Sequence, residues 1–222
     1  MIPVLGVPIL TMPHMLDEML ASVDVKVGRL VIIDNGGVVG DINAEVVRPD
    51  QNLGVAASWN LIMREFSDAP WWAIVGFDVI FAPGDLDRLV KHMETVGGCA
   101  LLGGFSAFGI DHLALDGVGE FDENFHPAYF EDNDYDYRCQ MAGVSLVGLP
   151  AGLQHRNSAT ISSEHYSREN GRTFPQNALY YRMKWGGYPR HERFTTPFNA
   201  GGSVRDWTLD LARIEDQRWN PE

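Results

Sequence analysis

Residues 71–81, WWAIVGFDVIF, constrain the architecture of this chain more than any other segment. A run this apolar has no solvent-facing side, so as a strand it must be covered on both faces. That is the condition of a central strand in a mostly parallel sheet sandwiched between helices. The run also carries Asp78, and a carboxylate at the end of so apolar a strand is costly unless it is paired, hydrogen-bonded or metal-bound.

The flanking sequence alternates in the way such a sheet requires. VLGVPIL (4–10) reads as a buried strand and is followed by a helix from about 13 to 21, with proline at its start. RLVIID (29–34) and AEVVRP (44–49) read as strands, and 55–66 as a helix with Trp59, Ile62, Met63 and Phe66 near one face. A helix over 83–96, a single strand over CALLGGFSAF (99–108), a helix ending near Gly143 and a strand over VSLVGLP (144–150) complete the pattern. The expected fold is α/β, Rossmann-like, with a mostly parallel central sheet and helices on both faces. After residue 160 aromatics, Arg, Gly and Pro dominate, with a last helix expected at 206–218. Residues 161–222 therefore read as an extension packed on a core of 1–160.

Charge narrows the function. The chain has 17 Lys and Arg against 30 Asp and Glu, a net charge of −13, which excludes a general phosphate-backbone binder or an anionic-membrane binder. The two cysteines make neither a disulfide framework nor a metal-site spacing, and no apolar run reaches the roughly 20 residues of a membrane span. The N-terminus reads as a strand and not as a signal peptide. A cytoplasmic protein with no integral membrane segment and no nucleic-acid partner is expected.

In open α/β sheets ligands bind beyond the carboxyl ends of the strands. Those ends bring Pro8, Asp34-Asn35-Gly36, Phe77-Asp78 and His155 to one edge. Asn-Gly is also a strong turn signal. NLGVAASWN (52–60) offers a loop asparagine, Asn52, a close-approach glycine, Gly54, and a helix start able to receive an anion or a hydroxyl. FDENFHPAYFEDNDYDYR (121–138) concentrates six carboxylates. Helix-terminus chemistry accounts for Asp134 and Asp136 as solvated or structural acids. Glu131 and Asp132 follow the apolar AYF where the chain leaves the core, and a desolvated carboxylate there suits a general base. His155, beside Asn157 and Ser158, is a candidate metal ligand.

In this order the pieces resemble the family-2 glycosyltransferases with the GT-A fold, over about residues 3–160. VIIDNG looks like that family's second strand, NLGVAASWN like its N-x-G-x-x-x-x-x-N element, and WWAIVGFDVIFAPGDLDRL like its metal motif and following helix. FDENFHPAYFEDNDYDYRCQMAG resembles FDExFFxYxEDxDLxxRxxxAG, and LQHRNSAT its later H-x-x-x-S. The resemblance implies inverting transfer from a nucleoside-diphosphate sugar to an acceptor hydroxyl of a glycan, protein or small molecule. It makes Asp132 the general base with Glu131 beside it, and Asp78 and His155 the ligands of Mn²⁺ or Mg²⁺. Pro8, Asp34, Asn35, Asn52, Gly54, Phe77 and Asp78 would hold the nucleotide sugar. Tyr180, Tyr181, Arg182 and Trp185 are expected on the acceptor side or in a homo-oligomer contact.

One position departs from the family pattern: Gly76 stands where the metal motif has an acid or amide. That departure supports an alternative, a non-catalytic nucleotide-sugar binder, against which the intact Glu131-Asp132 pair argues. A nucleotidyltransferase ranks last, because VPILTMPHMLDEML after the first strand has no Lys or Arg to meet a triphosphate.

Overall fold

The computed structural model describes residues 1–156 and 164–205. The helix expected at 206–218, and Asn157 and Ser158 beside His155, lie outside the described residues. The chain runs β1 (Ile2–Ile9), α1 (Pro13–Ala21), β2 (Val27–Asp34), β3 (Glu45–Val47), α2 (Gly54–Glu65), β4 (Trp71–Val75), β5 (Val79–Ile80) and α3 (Asp85–Thr95). It continues through β6 (Cys99–Leu101), β7 (Ala107–Asp111), α4 (His112–Val118), α5 (Glu131–Ala142), β8 (Leu146–Gly148), β9 (Gln154–His155) and α6 (Glu164–Trp185).

Seven strands form the central sheet in the order β3-β2-β1-β4-β7-β6-β8. β1 pairs in parallel with both β2 and β4, β2 with β3, and β6 with β8, whereas β7 runs antiparallel to β4 and β6. The sheet is thus mostly parallel and covered on both faces. Along β4, Trp71, Ala73 and Val75 face a core shared with Leu16 and Met19 of α1 and Leu86, Leu89 and Met93 of α3. Trp72 and Ile74 face the opposite core, with Trp59 and Ile62 of α2, Ala114 of α4 and Tyr135 and Cys139 of α5. This period-two division explains why the segment is apolar throughout.

Two expected strands break in ways that matter. The run at 71–81 stops at Val75, where Gly76 N–H donates to Ser106 O at 2.7 Å. It resumes as β5, antiparallel to β9 in a separate two-stranded sheet. The break carries Asp78 out of the sheet. The expected single strand at 99–108 is instead a reversal, with β6 and β7 joined through Gly103-Gly104 and Gly104 at φ 64°. Glycine takes that left-handed conformation at no steric cost.

No helix is expected from the sequence over 164–185, yet α6 spans 22 residues with Pro175 inside it. Its C-terminal half buries Tyr180, Tyr181 and Trp185 with Phe125 and Val204 in a third apolar cluster. Among the described residues no helix is long and apolar enough to cross a membrane.

Candidate active site

A cleft of about 540 Å³ opens beyond the carboxyl ends of β1 and β4. Its lining includes Pro8, Asn35, Gly76, Phe77 and Asp78 at the strand ends, Asn52 and Gly54 at the start of α2, and Glu131, Asp132 and His155. Every residue singled out from the sequence as a ligand or base lines this cleft except Asp34.

Asp34 is not among the residues that line the cleft. It is 1 % exposed, and its oxygens accept from Val38 N–H (2.9 Å) and Val39 N–H (3.1 Å), with Arg48 Nε at 3.3 Å. Those partners close the turn after β2, so the cleft-facing polar group at this strand end is Asn35. Its side chain in turn is braced by Ser58 Oγ (2.9 Å) and by Leu53 N–H (2.9 Å). The start of α2 is likewise engaged: Gly54 N–H donates to Asn52 Oδ1 (2.9 Å) and Val55 N–H to Pro127 O (2.7 Å). Gly54 has φ 76°, and a Cβ there would lie 2.7 Å from Pro127 O, so both conformation and space require glycine.

Asp78 and His155 face each other, Oδ1 to Nε2, at 3.3 Å. The β5–β9 pairing sets this distance by placing Val79 opposite His155, and Arg156 N–H donates to Asp78 O at 3.0 Å. Asp78 is 9 % exposed. A Cβ at Gly76 would lie 3.0 Å from Asp78 Oδ1, so the glycine that departs from the family motif leaves room for this carboxylate. One oxygen and one nitrogen donor fit a hard divalent cation as part of a shell completed by diphosphate oxygens. Among the described residues there is no cluster of three His, Cys, Asp or Glu able to hold a metal by themselves.

Across the cleft, α5 begins at Glu131 after Tyr129 and Phe130, both with positive φ (77° and 75°). Asn177 of α6 holds this turn by donating to Ala128 O at 2.8 Å. Glu131 is 6 % exposed and its Oε2 has no hydrogen-bond partner. Burial first, and the adjacent Asp132 charge second, push its carboxyl well above the usual carboxylate range. Burial also raises Asp132, although the Asn133 N–H at 2.8 Å stabilises its ionised form.

The remaining acids of this stretch are structural. Asp134 is fully buried and takes Lys184 Nζ (2.6 Å), Arg138 Nε (2.8 Å) and Trp185 Nε1 (2.8 Å). Asp122 takes the same Lys184 at 2.8 Å and Tyr180 O–H at 2.7 Å. Asp136 accepts from Gln140 Nε2 at 3.2 Å.

The tail residues expected on the acceptor side do not reach the cleft. Tyr180, Tyr181 and Trp185 are buried in the third cluster, and Arg182 stacks on Tyr188 at 4.7 Å. In their place Tyr166, Glu169 and Asn170 of α6 form a wall of the cleft. Their i, i+3, i+4 spacing is the signal in the sequence that places them on one helix face.

The fold has counterparts among solved structures. A mannosyltransferase from Pyrobaculum calidifontis, solved with GDP-Man and Mn²⁺, superposes with TM-score 0.58 at 14 % identity, over 84 % of this chain and 65 % of its own. TarS residues 1–349 from S. aureus give TM-score 0.58 at 13 % identity, over 83 % and 64 %. The fold is that of the GT-A glycosyltransferases. The catalytic domain of Drosophila β1,4-galactosyltransferase 7, with xylobiose, follows at TM-score 0.52 and 14 % identity, over 71 % of each chain. In sequence, a galactofuranosyl glycosyltransferase of Leishmania donovani is 28 % identical over 131 residues, which is 49 % of this chain and 30 % of that protein. The match thus spans less than a third of the length of this relative. No protein-family model matches the chain.

Proposed function

We propose that this chain is an inverting glycosyltransferase that moves a sugar from a nucleoside-diphosphate donor to an acceptor hydroxyl. The observation that carries the proposal is the placement of a desolvated carboxylate, Asp132, in the same cleft as the Asp78–His155 pair. In this reading residues 1–160 hold the donor, and Tyr166, Glu169 and Asn170 of the extension supply the acceptor wall. Asn35, Asn52, Pro8, Gly54 and Phe77 line the nucleotide side. Asp132 takes the proton of the acceptor hydroxyl as its oxygen bonds to the anomeric carbon and the bond from that carbon to the diphosphate breaks. Asp78 and His155 would hold Mn²⁺ or Mg²⁺, which when bound offsets the charge of the departing diphosphate. The GDP-Man and Mn²⁺ in the similar mannosyltransferase support this assignment.

Replacing Asp132 by Asn tests the base. Loss of one general base costs about 10²–10⁴ in rate, so turnover should fall by that factor while nucleotide affinity stays within about threefold. A D132N protein with parental turnover removes Asp132 from the role. A parental protein that binds nucleotide and transfers nothing to any acceptor would support the non-catalytic binder, the reading that Gly76 favours.

A further inference from the structure

We propose that the acceptor is a carbohydrate bearing no negative charge, and that Glu169 on α6 is the residue that turns anionic acceptors away. The inference rests on the glycosyltransferase reading above and specifies its acceptor. Four carboxylates line the cleft, from Asp78, Glu131, Asp132 and Glu169, and no Lys or Arg does so among the described residues.

The arrangement on α6 shows the same polarity. Glu169 lines the cleft, while Arg168 and Arg172 of that helix are exposed and do not. A bound Mn²⁺ would offset only part of the combined negative charge of the donor diphosphate and these carboxylates. A uronate, sialate or phosphate on the acceptor would therefore meet like charge in a partly desolvated cleft.

The uncharged groups suit hydroxyls instead. Tyr129, Tyr166 and Asn170 offer amide and phenol groups with flat ring faces. The Oε2 atom of Glu131 is buried in this wall without a partner, a position that a sugar hydroxyl would satisfy.

The test is an oligosaccharide array carrying neutral glycans beside matched uronylated, sialylated and phosphorylated ones. It is incubated with Mn²⁺ and tritiated UDP-galactose, UDP-glucose or GDP-mannose. Neutral members should be labelled at least about tenfold faster than their anionic matches. Glu169→Lys should shrink that ratio severalfold, and Glu169→Gln should shrink it by less, with both variants first checked for parental melting. Raising the salt should also narrow the ratio, since screening weakens like-charge repulsion.

Equal labelling of anionic glycans overturns the proposal, as does a ratio unmoved by Glu169→Lys. No labelling of any carbohydrate, in a protein whose melting still responds to UDP or GDP, overturns it as well and leaves the nucleotide site standing. Absence of any nucleotide response overturns the glycosyltransferase reading itself.

Discussion

At the N-terminus of α5, Glu131 sits 6 % exposed with one oxygen unpartnered, and this has a consequence for stability that can be worked out with its sign. In the unfolded chain a glutamate ionises near its ordinary value, about 4.3. In the folded chain burial moves ionisation well above that. Between the two values the folded state binds the extra proton, so stability falls as pH rises through this window. Glu131→Gln removes the titration. It should stabilise the protein at pH 7–8 by about 1–2 kcal/mol, or roughly 2–8 °C in melting temperature. The gain should vanish near pH 4, and melting curves across pH check it. In the proposed reaction the raised carboxyl of Asp132 acts on rate instead: a base works ionised, so the acidic limb of kcat/KM should lie above the range of an exposed aspartate. Both residues were legible in the sequence because they follow the apolar AYF directly. The burial of Asp134 was not, because the cation that makes it tolerable, Lys184, lies 50 positions away in the chain.

At the scale of elements, α6 and α5 are joined by a buried charge cluster. Lys184 is fully buried between Asp122 and Asp134, with Arg138 also on Asp134. Removing one member of such a cluster strands the others. Lys184→Met should therefore cost about 3–5 kcal/mol, a fall of roughly 6–20 °C in melting temperature. Adding Asp122→Asn should return part of that loss, and a double-mutant cycle by thermal unfolding reads the coupling. The helix that supplies Lys184 escaped sequence reasoning because Gly171 and Pro175 interrupt it and are ordinarily helix breakers. Tertiary packing of Tyr180, Tyr181 and Trp185 outweighs that local preference. The opposite error came at 99–108, where an unbroken apolar run conceals a reversal. Both arms of the reversal are buried in the sheet, and hydrophobicity alone does not distinguish one long strand from two short ones.

For the whole molecule, the two-sided burial of β4 was readable from its composition, and with it the layered α/β architecture. The strand order was not, since β7 inserts antiparallel between β4 and β6 through contacts that no local pattern encodes. The cleft belongs to this scale as well, because its walls come from β1, α2, the segment between β4 and β5, α5, β9 and α6 together. A ligand bound there stabilises the native state as a unit by mass action. The matching nucleotide among UDP, GDP, dTDP and CMP, at about 100 times its Kd, should add about 2.7 kcal/mol and raise melting by roughly 5–10 °C. EDTA should reduce that shift when Mn²⁺ is present, because the diphosphate would face Asp78 without the cation. A nucleotide shift unchanged by EDTA removes Asp78 and His155 from metal binding.

The contact of Lys184 with Asp122, 62 positions upstream, also orders events during synthesis. Chains emerge from the ribosome N-terminus first, and domains fold as they appear. Until α6 is made, the nascent chain holds Asp122 and Asp134 with Lys184 absent, and the turn before Glu131 lacks the clamp from Asn177. The sheet can form early, but α5 gains its final anchors last. A stalled or prematurely released chain would therefore carry most of the fold and an unfinished cleft.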